Sequence, residues 1–154
     1  MDEVLIEIAL PAESDTHALA ALLAPQLRPG DVVLCEGEIG AGKTTFCRHV
    51  IHTLFGPDEE VPSPTFTLVQ TYENDDFEVW HTDLYRLGDP QEIVELGLLD
   101  AFSDAICLVE WPDRLGDLGP QDPLTLTFVA EPTQHRCQIR GSDVWRERLV
   151  FHRD

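Results

Sequence analysis

Gly37-Glu38-Ile39-Gly40-Ala41-Gly42-Lys43-Thr44-Thr45 is the stretch whose reading decides the fold. It fits G-x-x-x-x-G-K-[ST], the pattern of a loop that cradles phosphate. Its flanks supply the required context. Val32-Val33-Leu34-Cys35 is a short apolar run that reads as a buried strand. Phe46 to Phe55 reads as a helix, with Gly56 as its C-terminal stop. Glycines let a backbone curl round an anion with no side chain in the way. The curled N–H groups and the helix N-terminus then turn positive dipole toward the phosphates. In this pattern Lys43 reaches the β- and γ-phosphates, and the Thr44 hydroxyl ligates Mg2+. Lys43 is also the only lysine in the chain.

The totals bound the rest. A length of 154 residues predicts one domain spanning 1–154, and 43% hydrophobic residues suffice for a core. The formal charge is -19, from 29 acids against 10 Lys and Arg. Such a surface repels nucleic-acid phosphates, so any RNA in the function is expected on a partner. Cys35, Cys47, Cys107 and Cys137 are scattered without a metal-type pair and read as reduced thiols. Met1-Asp2-Glu3 lacks the basic start of a signal peptide, and no apolar run approaches membrane-span length. A cytoplasmic location is the expectation.

Outward from the loop, Val4 to Leu10 reads as a strand ended by Pro11. Ser14 and Thr16 are candidate caps for a helix through Ala18–Leu23, with Glu13 just before it. Pro62 and Pro64 hold the loop after Gly56 extended. Ser63 and Thr65 on that loop are candidate sensors of nucleotide or metal, or parts of a stiff linker. Thr67–Glu73 and Phe77–His81 alternate as strands around an Asn74-Asp75-Asp76 turn, which predicts a mixed parallel and antiparallel sheet. Asp83 is expected just past a strand end, where ligands of open α/β sheets gather. It either orients water or Mg2+, or serves as a cap or a partner of Arg86. Short helices are expected from Asp89-Pro90 to Leu96-Gly97 and over Leu98–Phe102. Ala105-Ile106-Cys107-Leu108-Val109 reads as a central strand ending in Glu110, a candidate Mg2+ ligand. Trp111 after it is a candidate flank of the site or a core residue. Leu124–Ala130 and Cys137–Arg140 read as strands, and Ser142 as the cap of a helix over Asp143–Phe151. The expected architecture is α/β, a P-loop NTPase-like three-layer sandwich.

Four segments in order carry a more specific likeness: Gly40-Ala41-Gly42-Lys43-Thr44-Thr45, Ser63-Pro64-Thr65-Phe66-Thr67-Leu68-Val69, His81 to Pro90, and Ile106-Cys107-Leu108-Val109-Glu110-Trp111. With them the chain resembles the bacterial TsaE family, the P-loop ATPase of tRNA threonylcarbamoyladenosine synthesis, over roughly Glu13 to Pro120. The resemblance implies ATP and Mg2+ as cofactors, TsaB and TsaD as partners, and contact with tRNA only through that complex. TsaD in that family carries the transfer to ANN-reading tRNAs, and ATP hydrolysis resets the assembly. Carried onto this chain, Lys43 and the loop residues Glu38, Ile39, Gly40, Ala41, Gly42, Thr44 and Thr45 bind the nucleotide. Thr44 and Glu110 hold Mg2+, and Asp83 resembles the catalytic or metal-linked acid, with Thr65 beside it. Trp111 resembles a tryptophan that affects nucleotide binding. Glu13 and Arg136 fall near the base. The chain departs from the family pattern at Glu38-Ile39, commonly Asp-Leu, and at His49, commonly Gly.

Two other classes share the loop. A small-molecule kinase needs an acceptor pocket and an Arg-rich lid, and the segment after Pro112 has Arg114 but no cluster. A nucleotide-gated, non-catalytic assembly module needs only binding. The order Thr65, Asp83, Glu110 argues for hydrolysis. No arginine finger is placed by motif, so weak turnover alone and activation by a partner, or by Arg86 in cis, is the expectation. A GTPase lacks support, because the single lysine leaves none for an Asn-Lys-x-Asp motif.

Overall fold

Alternation along seven strands assigns each residue to one side of a single sheet. A computed structural model describes residues 3–38, 40–64 and 68–151. The strands are β1 (Glu3–Leu10), β2 (Val32–Gly37), β3 (Val69–Glu73), β4 (Glu78–Asp83), β5 (Ile106–Glu110), β6 (Leu124–Ala130) and β7 (His135–Gly141). The helices are α1 (Glu13–Leu23), α2 (Lys43–Phe55), α3 (Gln91–Leu96), α4 (Leu98–Asp104) and α5 (Asp143–Arg148). In space the strand order is β1-β7-β6-β2-β5-β4-β3. The central strands β6, β2, β5 and β4 run parallel, and both flanks are antiparallel. This is the mixed sheet that the Asn74-Asp75-Asp76 turn predicts.

Helices cover both faces, which gives three layers. Val33, Cys35, Ile106, Leu108 and Val79 pack with Phe46, Cys47, Val50 and Ile51 of α2 and Leu19 and Leu23 of α1. The alternate residues Val32, Cys107 and Val109 pack with Ile93 of α3 and Leu98 and Ala101 of α4. Behind β2, the Arg148 guanidinium donates to both Asp31 carboxylate oxygens at 2.9 and 2.7 Å, which clamps α5 to the turn before β2. Among the described residues no helix is long and apolar enough to cross a membrane.

Side-chain and cross-strand contacts move three boundaries. Helix α1 starts at Glu13, so Ser14 and Thr16 lie inside it and are not caps. The Asp15 carboxylate instead accepts the Ala12 N–H at 2.9 Å, reaching back from the third helical position. Strand β4 runs through Asp83, because β5 pairs with it as far as Asp83 opposite Glu110. The last helix stops at Arg148 rather than Phe151, since Leu149 is extended and Val150 pairs with the Gln26 side chain (2.8 and 2.9 Å). Ser142 holds the N-cap position, but its hydroxyl makes no cap bond.

Candidate functional site

The loop between β2 and α2 is held open by two different constraints. At Gly37 space and conformation both act, since φ is 135° and a Cβ there would sit 2.2 Å from the Phe128 carbonyl oxygen on β6. At Gly42 it is conformation alone: φ is 109°, a left-handed value at the N-cap of α2, and among the described residues no neighbour comes closer than 3.7 Å to an added Cβ. The loop then delivers its chain into α2 with Lys43 first.

Lys43 is buried. Its ammonium donates to the carbonyls of Gly37 (2.5 Å) and Glu38 (3.0 Å) and lies 4.1 Å from the centre of the Trp111 ring. Burial pushes its pKa below the usual lysine range, and Glu110, Cys35 and Asp83 pull against that shift. One residue on, the Thr44 hydroxyl donates to Glu110 Oε1 at 2.6 Å. Glu110 Oε2 lies 2.6 Å from Nε2 of the fully buried His81, which donates when the carboxylate is ionised. Asp83 sits opposite Glu110 in register and accepts the Tyr85 N–H at 2.9 Å through Oδ1. Trp111 takes a left-handed backbone (φ 60°), which costs a non-glycine residue about 1–3 kcal/mol. That conformation turns its ring under Lys43 and against Tyr85, 4.9 Å between centroids.

These groups open on a cavity of about 670 Å³. Gly40, Gly42, Lys43, Thr44, Thr45, Asp83, Glu110 and Trp111 line it, as does Glu13 from the first turn of α1. Arg136 does not line it. Its guanidinium pairs with Glu131 at 2.7 Å, and the turn from Glu131 to His135 forms that wall instead. Glu38 and Ala41 also lie off the lining, with Glu38 on the exposed rim and Ala41 buried in the core. Ile39 and Thr65 lie outside the described residues.

Residues that were not named as candidates complete the site. Alternation along β4 puts Val79, His81 and Asp83 on one face, so His81 was legible from its spacing to Asp83. Cys47, one helical turn after Lys43, lies on the same side. Tyr85 lies within the His81 to Pro90 segment, while the Glu131–His135 turn carries no local signal, because the fold alone brings it to the cavity.

The arrangement suits an anion with a hard cation. Loop N–H groups, a helix N-terminus and an ammonium can hold phosphate. The Thr44 hydroxyl and Glu110 carboxylate offer the oxygen donors that Mg2+ prefers. A glycine loop between a parallel strand and a helix, in a mixed three-layer α/β sheet, defines the P-loop class of fold.

Comparison with known proteins narrows the class. The family model described as threonylcarbamoyl adenosine biosynthesis protein TsaE matches residues 10–138, and the chain belongs to that family. It is 46% identical over 111 residues to the tRNA threonylcarbamoyladenosine biosynthesis protein TsaE of Rickettsia felis, covering 72% of this chain and 65% of that protein. The stretch matched thus spans just under two thirds of that relative. The Rickettsia typhi protein of the same name is 42% identical over 143 residues, covering 92% of this chain and 96% of its own length. The crystal structure of Bacillus subtilis YdiB superposes with a TM-score of 0.76 at 26% identity, covering 96% of this chain and 92% of that one.

Proposed function

We propose that the chain is a Mg2+-dependent ATP hydrolase serving threonylcarbamoyladenosine formation on ANN-reading tRNAs. It works in a complex with TsaB and TsaD, and hydrolysis resets that complex between turnovers. One observation carries the reading: the Lys43 ammonium, the Thr44 hydroxyl and the Glu110 carboxylate converge beside the glycine loop at the mouth of one cavity. The names of the relatives support the tRNA role.

In this reading Lys43 exchanges its two carbonyl partners for phosphate oxygens, and the loop N–H groups hold the rest of the phosphate chain. Thr44 and Glu110 would hold Mg2+, which when bound offsets the phosphate charge. His81 fixes the Glu110 carboxylate from behind. Asp83, beside Glu110 in register, orients the attacking water or takes its proton. Trp111 and Tyr85 wall the phosphate end.

No arginine is among the described residues lining the cavity, and Arg86 is exposed on the surface. A transition-state arginine is worth roughly 10³–10⁵ in rate, so a partner that supplies one raises turnover sharply. The charge of -19 favours tRNA contact through the partners.

The test is ATP consumption by the purified chain, alone and with TsaB and TsaD. A low rate alone, a large rise in the complex and loss of both in Lys43→Ala are expected. Undiminished hydrolysis by Lys43→Ala protein would falsify the assignment.

A further inference from the structure

Behind the phosphate loop lies a second set of donors of different chemistry. The Cys47 thiol, a His81 ring nitrogen and a Glu110 carboxylate oxygen all lie within 4.8 Å of one another, and all three side chains are buried. Cys35 Sγ is 3.9 Å from Cys47 Sγ, and Cys35 sits opposite Glu110 in the β2–β5 register. Three donors from α2, β4 and β5 thus converge between the sheet and α2, with the Cys35 thiol beside Cys47.

From these donors we infer a buried site for a thiophilic divalent cation of the zinc class, ligated by Cys47, His81 and Glu110. Sulfur and imidazole together select such ions over Mg2+, which prefers oxygen. Metal–sulfur bonds of about 2.3 Å and metal–nitrogen or –oxygen bonds of about 2.0 Å put tetrahedral donors roughly 3.3–3.8 Å apart. The His81–Glu110 pair, at 2.6 Å, opens by under about 1 Å to admit the ion. A thiolate at Cys47 and the Glu110 carboxylate balance a charge of +2, and the thiol proton leaves to solvent as the ion's own field reverses the local preference. The entry route is the large cavity, which Glu110 lines.

The site shares Glu110 with the proposed Mg2+ site. If that reading holds, the thiophilic ion draws Glu110 away from Thr44 and inhibits hydrolysis. Binding itself needs no nucleotide, so it is tested separately. Cobalt(II) alone is titrated into the reduced, nucleotide-free chain, with zinc as competitor. Expected are one equivalent bound, the intense visible bands of tetrahedral cobalt, a thiolate-to-cobalt charge-transfer band, and displacement by zinc.

Cys47→Ser is expected to remove the charge-transfer intensity and weaken binding about tenfold or more, while Cys137→Ser leaves both unchanged. Should serine disturb folding by circular dichroism, Cys47→Ala replaces it. His49→Gln controls for binding at the stacked His17–His49 pair, and its cobalt spectrum should match that of the unmodified chain. No stoichiometric cobalt binding, bands that survive loss of Cys47, or bands lost with His49 overturn the site.

Discussion

The two faces of the central strands are built from the same segments and obey different rules. On the α3–α4 side, Val32, Cys107, Val109, Leu98 and Ile93 form an apolar layer. On the α1–α2 side, the alternate positions of β4 and β5 bury His81, Asp83 and Glu110 among Val33, Ile106 and Leu108. An apolar layer is stabilised by area alone, about 1.5–3 kcal/mol for each large side chain fully buried. A buried polar layer survives only where its groups are paired, and Glu110 has both carboxylate oxygens engaged, by Thr44 and by His81. One side of the sheet is therefore replaceable by shape, and the other is not.

Function and stability should separate along that line. The largest effect belongs to Lys43→Ala. Removing one such donor typically lowers the chemical step by about 10²–10³, and ATP consumption should fall that far with thermal unfolding little changed. On the opposite layer, Leu98→Ala should destabilise by about 2–5 kcal/mol in urea unfolding. Nucleotide affinity per folded molecule should be unaffected. If Leu98→Ala altered affinity as strongly as stability, the two faces would be coupled and the contrast lost.

His81→Leu sharpens the distinction, because it keeps bulk and removes only pairing. Leaving Glu110 Oε2 without its donor should cost about 1–3 kcal/mol in stability. The Mg2+ concentration needed for half-maximal nucleotide binding should rise about tenfold or more. A stability loss with no change in Mg2+ requirement would make His81 merely structural.

The smallest effect lies at the rim of the polar side, where His49 stacks on His17 at 4.6 Å between ring centroids. Burial and the His17 charge hold the pKa of His49 below 6.5, against an opposing pull from Glu13. Below that ordinary value the unfolded chain binds the proton more readily than the folded one, so stability falls as pH drops through this window. Compared with the unmodified chain, His49→Gln should show a shallower loss of melting temperature on acidification from neutral pH. Carboxylates common to both proteins cancel in that difference.

Much of the phosphate end was legible because its signals are local. Glycines at 37, 40 and 42, the following Lys43 and Thr44, and an apolar run ending in Glu110 are set by short-range backbone and solvation needs. Boundaries failed where a side chain paired with backbone, whether near in sequence or far. Asp15 reaches back to start α1 early, and Gln26 draws Val150 out of the last helix. Arg136 resembled a base-side residue, yet on the strand it turns to Glu131 and leaves the cavity wall to the preceding turn.

By itself the sequence determined the glycine loop, the alternation that divides each strand between two faces, and a mixed sheet, since each follows from neighbours within a few residues. Only the tertiary structure decided that residues 66 positions apart, Thr44 and Glu110, share a hydrogen bond. It alone set His81 behind them and closed the cavity with the turn after β6. Pairing across strands fixes such distances, and no local preference encodes which strand lies beside which.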